Sequence, residues 1–195
     1  MAKKRILIDL DGICADMAAP LLDRYNNEHD DTVRHADITT WGIHEHVKIG
    51  HRIYDYAREP GFYENLPVFD GALEGVEQLA QMGHAIRFCS AGMGPDSLAE
   101  KLRWCAHHFG HLHIEGKKFN RRHLILTHDK HWINADILID DKPETIAKWA
   151  KSGREAMFID WPYNKHLGSC GFAAQDWTNT KKAWGQIVDY IAEIS

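Results

Sequence analysis

No apolar run in this 195-residue chain approaches the length of a bilayer-spanning helix, so no membrane segment is expected. Lys3-Lys4-Arg5 has the charge of a leader peptide, yet only Ile6-Leu7-Ile8 follows before a carboxylate, so no leader is expected either. Positive charge is not in excess. A net charge of −5 gives no electrostatic reason for a nucleic-acid polymer or an anionic membrane as partner. The four cysteines, Cys14, Cys89, Cys105 and Cys170, lack both the paired spacing of a disulfide framework and that of a metal knuckle. Reduced thiols and a cytoplasmic location follow as the expectation. Repeats, low-complexity tracts and a linker that would split the chain are also missing, which leaves one principal domain with room for a modest insertion.

What is present begins with Arg5-Ile6-Leu7-Ile8-Asp9-Leu10-Asp11-Gly12-Ile13-Cys14-Ala15-Asp16. Ile6-Leu7-Ile8 is a continuous, β-branched apolar run, the pattern of a strand buried on both faces of a parallel sheet. The run stops abruptly at Asp9 and Asp11, with Gly12 next. Carboxylates at the end of a buried strand are costly unless something pairs with them. In open α/β sheets, that end of the strand is where ligands bind.

Downstream, residues 17–27 read as a helix, with Leu21, Leu22 and Tyr25 near one face. A second apolar stripe (Val47, Ile49, Ile53, Tyr54, Ala57) predicts a helix over 46–58, and no convincing strand occurs between 14 and 68. From Phe69 onward the pattern is regular. Helices are predicted at 71–82, 96–109, 143–151 and 181–194, and strands at 85–89, 123–127, 136–141 and 155–160. Alternation of this kind implies a Rossmann-like α/β fold with a parallel sheet flanked on both faces. The expected domains are a core of 1–13 plus 69–195 and a small helical cap, 14–68, inserted after the first strand.

Four predicted strand ends carry polar groups: Asp9 and Asp11, Ser90, Asp140 and Asp141, and, just past the strand at 123–127, Asp129-Lys130. If they converge, four carboxylates share one crevice, and a divalent cation is the usual remedy; an all-oxygen site suits Mg²⁺. An ammonium and a hydroxyl beside a free carboxylate suit phosphoryl transfer.

Asp9-Leu10-Asp11-Gly12, Ser90, Lys130 and Asp140-Asp141 resemble the four motifs of the haloacid dehalogenase-like phosphohydrolases. Three longer stretches are similar to the 5'(3')-deoxyribonucleotidases, the cytosolic type C 5'-nucleotidase family. They are the first strand with its loop, Phe62-Tyr63-Glu64-Asn65-Leu66-Pro67, and the run from Leu126 to Pro143. The likeness covers about residues 4–165 and is weakest at 28–52.

The resemblance implies a role for each position. Asp9 attacks phosphorus and becomes the aspartyl-phosphate, while Asp11 protonates the leaving oxygen and later activates water. Ser90 and Lys130 hold the phosphate with Ala91 and Gly92. Asp9, Asp140 and the Asp11 carbonyl bind Mg²⁺, with Asp141 supporting the metal's water shell. Trp41, Tyr54, Tyr56 and Phe62 are candidates to stack on a base, Trp41 and Tyr54 foremost.

Ser90-Ala91 departs from the Thr-Ser common in this family, and Lys142 stands where Arg is common. The implied substrate is a (deoxy)nucleoside monophosphate. A sugar phosphate or another small phosphomonoester, and a non-catalytic nucleotide-binding protein on the same fold, are the alternatives. A homodimer stays open. The cluster His107, His108, His111 and His113 lacks an acidic or thiol partner at ligand spacing and reads as solvated. Lys117-Lys118 with Arg121-Arg122 forms a basic patch, and Trp161-Pro162-Tyr163-Asn164 a turn bordering the last strand.

Overall fold

A computed structural model describes residues 2–195. Its frame is a six-stranded, all-parallel sheet in the order β5-β2-β1-β6-β7-β8. These strands are β1 (Arg5–Ile8), β2 (Ala85–Ser90), β5 (Leu124–Leu126), β6 (Ile137–Ile139), β7 (Glu155–Ile159) and β8 (Phe172–Ala174); a separate hairpin pairs β3 (His113–Ile114) with β4 (Lys117–Lys118). Leu7 of β1 lies between Arg87 and Leu138, so the first strand is central.

Successive side chains of a strand point to opposite faces, and β1 divides its residues accordingly. Ile6 and Ile8 join one apolar cluster with Phe88, Ile139 and Met157, while Leu7 joins another with Leu138 and Phe158. The first face is covered by α3 (Ala72–Gln81), α4 (Pro95–Phe109) and α6 (Thr180–Glu193), the second by Ile146 and Trp149 of α5 (Pro143–Ala150). Burying each such side chain is worth roughly 1.5–3 kcal/mol, which is what holds the polar strand ends in a fixed frame.

The helices and most strands lie where the sequence pattern predicts them. Two regions differ. The expected helix over 46–58 is a 3-10 turn, Gly50–Arg52, running into a single helical turn, α2 (Ile53–Tyr56). Gly50 has φ +56, a left-handed conformation that interrupts a right-handed helix. Residues 172–174, unassigned from sequence, add β8 at the sheet edge.

Between β1 and α3 the chain holds α1 (Ala18–His29), α2 and four 3-10 turns, with no strand. Ile38, Val47, Ile53, Tyr63 and Leu66 of this segment belong to the same apolar cluster as Ile6 and Ile8, so it packs as a continuation of the core.

Candidate active site

β1 delivers Asp9 to the carboxyl end of the sheet. Its backbone N–H donates to the Ile139 carbonyl at 2.8 Å, extending the ladder by one residue, and Oδ1 accepts from the Leu10 N–H at 2.8 Å. Oδ2 receives the Lys130 ammonium at 2.7 Å. The turn that follows needs glycine at position 12: φ there is +76, and a Cβ would fall on the Asp141 carboxylate.

β6 delivers two adjacent carboxylates that differ in access. Asp140 is fully buried; Oδ2 accepts from Lys130 at 2.6 Å and Oδ1 from the Lys142 N–H at 2.9 Å. Asp141 lines the cavity and accepts from the Tyr163 hydroxyl at 2.8 Å, with Asn164 bound to its carbonyl at 3.0 Å. Oxygens of Asp9, Asp140 and Asp141 lie within 4.8 Å of one another, and among the described residues this is the one group with the spacing of metal ligands.

Lys130 opens a 3-10 turn after β5 and is buried between Asp9 and Asp140. The Thr127 N–H donates to the Ser90 carbonyl at 3.0 Å and fixes the lysine's loop beside the end of β2. Ser90, Ala91 and Gly92 continue from β2 along the cavity wall.

The sequence reading missed Lys101. This α4 side chain is 3% exposed, and its ammonium reaches the Asp11 carboxylate, Ser90 Oγ at 2.8 Å and the Ala91 carbonyl at 2.5 Å. The Tyr63 ring lies 4.7 Å from it. An amphipathic helix normally turns lysine to solvent, but Lys101 shares a four-residue stripe with Ser97, Cys105 and Phe109, all buried. That stripe is the signal that marks it. The adjacent Glu100 accepts from the Gly61 and Tyr63 N–H groups at 2.6 and 3.0 Å, which seats the 61–63 segment against the same helix.

With Lys101 on Asp11 Oδ2, the other oxygen, Oδ1, is buried without a hydrogen-bond partner. An unpaired carboxylate oxygen is costly to bury and marks a point where a ligand or proton is handled. Asp11, whose carboxylate meets Lys101, is not one of the three grouped acids, which are Asp9, Asp140 and Asp141.

The electrostatics are those of a site with too much negative charge for its surroundings. Burial pushes the Asp9 carboxyl up to about 7; Lys130 opposes the rise, and Asp140 and Asp11 add to it. Asp141 is held well above the ordinary carboxylate range by burial and by the Asp9 and Asp140 charges. Burial alone pulls Lys130 down, but Asp140 and Asp9 outweigh it and keep the ammonium charged. Three hard oxygen donors beside one ammonium fit a small divalent cation.

Above the acids opens a cavity of about 460 Å³, ample for a small ligand. Trp41 and Tyr54 both line it. Trp41 is 48% exposed, with the Lys142 ammonium 4.4 Å from its ring, and Tyr54 meets His44 Nδ1 at 3.2 Å. His44 stacks on His51 with ring centroids 3.7 Å apart. Tyr56 and Phe62 do not reach the cavity: Tyr56 is bound to Glu28 at 2.5 Å beneath Arg24, and Phe62 packs edge-on to Tyr63. Cys14 is buried behind the loop, where burial raises its thiol well above the reactive range.

The family model described as "5' nucleotidase, deoxy (Pyrimidine), cytosolic type C protein" matches residues 3–187. A Bordetella pertussis protein named "Putative 5'(3')-deoxyribonucleotidase" is 32% identical over 173 residues, covering 82% of this chain and 85% of the relative. The 5'(3')-deoxyribonucleotidase of Clostridium acetobutylicum is 27% identical over 98% of this chain and 100% of its own. Among solved structures, a haloacid dehalogenase-like protein of unknown function from Agrobacterium tumefaciens superposes with a TM-score of 0.56 at 11% identity, over 98% of this chain and 100% of that one. That last likeness concerns the fold alone.

Proposed function

We propose, from the premise that this chain belongs to the cytosolic type C deoxy (pyrimidine) 5' nucleotidase family, that it releases phosphate from (deoxy)nucleoside monophosphates through an aspartyl-phosphate on Asp9. Phosphoric monoester hydrolysis is the chemistry of the family. The observation that carries the residue-level reading is Lys130, whose ammonium lies 2.7 Å from Asp9 and 2.6 Å from Asp140 at the mouth of three converging strands.

In this reading an Asp9 oxygen attacks phosphorus; the Asp9–phosphorus bond forms as the bond to the sugar oxygen breaks. Asp11, with Oδ1 free and Oδ2 anchored by Lys101, gives its proton to the leaving oxygen. It then takes a proton from the water that attacks phosphorus and releases Asp9. Lys101, Lys130 and Ser90 hold the phosphate oxygens, and the Ala91–Gly92 backbone completes the cradle.

Mg²⁺ would be held by Asp9 and Asp141, the two of the three grouped carboxylates that line the cavity, with the Asp11 carbonyl expected as a third donor. Asp140 lies in the same group but is fully buried and does not line the cavity, so its part is to hold Lys130. Bound there, the cation neutralises charge on the carboxylates and the phosphate. Residues 14–68 would act as the cap that selects the substrate, with Trp41 and Tyr54 against the base. The four cysteines are all free, as the proposed cytoplasmic location requires, and no described helix is long and apolar enough to cross a membrane.

A phosphate-release screen over ribo- and deoxynucleoside 5'- and 3'-monophosphates beside sugar phosphates tests the substrate class. The highest kcat/KM belongs to a nucleotide; a sugar phosphate turned over faster than every nucleotide would overturn the reading. Trp41→Ala raises KM for nucleotides by about tenfold, the worth of one base–aromatic stack, and leaves p-nitrophenyl phosphate unaffected. Equal effects on both substrates would make Trp41 a packing residue only.

Chelation with EDTA abolishes turnover, and Mg²⁺ restores it. Stability supplies an independent check. Asp9, at about 7 in the fold against an ordinary 3.8, binds more protons folded than unfolded through that window. The metal-free protein therefore loses stability as pH rises through it. The rise in Tm on adding Mg²⁺ is accordingly larger at pH 8 than at pH 5.5, by about 4 °C. A thermal shift that is the same at both pH values would contradict the proposed cation site.

A further inference from the structure

We infer that the chain carries a second anion site, remote from the catalytic cavity, built to take a polyphosphate chain. The hairpin β3–β4, the middle of β2 and the 3-10 turn Arg121–His123 border an open cavity of about 840 Å³. No residue that lines it lines the catalytic cavity.

Four cations face this space: Arg87, Lys117, Arg121 and Arg122. Glu115 is the one acid in its wall, and it is bound to Arg87 at 2.8 Å. The hairpin places it there by an uncommon means: Glu115 has φ 52 and Gly116 φ 73, a left-handed pair that a non-glycine residue rarely adopts. The cavity thus already holds one carboxylate on one of its cations. Lys117, Arg121 and Arg122 have no acidic side chain within ion-pair distance among the described residues. On a chain of net charge −5, three unpaired cations gathered in one concavity form a local field of the opposite sign.

The wall also offers hydrogen-bonding groups. His123 is 4% exposed and is oriented by Asn120, whose N–H donates to Nδ1 at 3.1 Å. Two adjacent guanidinium forks, an ammonium and an imidazole spread over two elements match several phosphate groups better than one carboxylate. The site is also connected to the catalytic loop. Arg121–His123 runs without a break into β5, and the next residue, Thr127, is bound to Ser90 three residues before Lys130. Occupancy at the turn bears on the edge strand that positions Lys130.

Isothermal titration of the full chain with inorganic tripolyphosphate, at physiological salt in EDTA, tests the inference. Wild type binds at one site, this one, because without Mg²⁺ the acids of the catalytic cavity repel the anion. Arg121→Ser/Arg122→Ser, both exposed positions, loses affinity by about tenfold or more and keeps kcat and KM for p-nitrophenyl phosphate measured with Mg²⁺. The exposed pair Lys181→Ser/Lys182→Ser, which removes the same charge elsewhere, binds as wild type does. A deoxynucleoside triphosphate in a parallel titration separates the sources: tighter binding than tripolyphosphate assigns the site to nucleotides, equal binding to the inorganic chain. The inference is overturned if Arg121→Ser/Arg122→Ser binds tripolyphosphate as wild type does, or if Lys181→Ser/Lys182→Ser weakens binding equally.

Discussion

Asp9→Asn lowers phosphate release by about 10⁴-fold or more, the scale expected when a nucleophile is removed, while the protein stays folded. The amide keeps the shape of the carboxylate and its contact with the Leu10 N–H, and Lys130 keeps Asp140 as its counter-ion. The metal-free fold loses no stability, because the substitution removes one of several acids crowded into a buried site. Nucleophilicity is what disappears. An electrostatic role for Asp9 would leave a slow Mg²⁺-dependent reaction, so turnover within about tenfold of wild type rejects covalent catalysis by this residue. The paired measurements are phosphate release and the thermal midpoint without metal.

Lys101→Met produces the second large effect: kcat/KM falls by about 10²–10³-fold on nucleotides and on p-nitrophenyl phosphate alike. The side chain binds Asp11, Ser90 and the Ala91 carbonyl together, so its loss releases the proposed acid and removes a cation from the phosphate cradle at once. Met has a similar length and suits the neighbouring Cys105 and Tyr63 ring. Rescue separates a catalytic lysine from a packing one: Lys101→Arg, which keeps the cation, retains more activity than Lys101→Met at an equal thermal midpoint. Equal activity of the two variants with a loss under tenfold would reduce Lys101 to a structural part of α4. The lysine also bears on the missing second hydroxyl at Ser90-Ala91, since an ammonium bound to both residues stands where a further donor is wanted.

Particular residues show how far the sequence speaks for itself. Ile6-Leu7-Ile8 running into Asp9 is readable because a strand buried on both faces leaves no solvent for an acid at its end. The alternation after Phe69 is readable for a similar reason: each crossover helix must cover a sheet face. Lys101 is hidden because periodicity treats lysine as a solvent residue, and only its tertiary partners justify burying the charge.

Asp140 and Asp141 are neighbours in sequence, yet alternation along β6 sends them to different surroundings. The sequence offers no means of telling which one meets the cavity. The stretch 46–58 has true helical spacing, but the left-handed Gly50 breaks it, and such a conformation leaves no mark in a hydrophobic pattern. β8, Phe172-Ala173-Ala174, has little strand propensity of its own and forms by pairing with β7. The cap aromatics are separated by packing alone: Trp41 and Tyr54 face the cavity, while Tyr56 is turned away by Glu28 and Arg24.

The most direct test is to trap the covalent species. The enzyme, mixed with excess nucleoside monophosphate and Mg²⁺, is quenched in acid during turnover, reduced with borohydride and digested for peptide mass spectrometry. An acyl-phosphate is reduced to the alcohol, so homoserine appears at position 9 and at no other carboxylate. Homoserine at position 11 or 141, or intact aspartate at all of them from an enzyme caught turning over, would contradict the account.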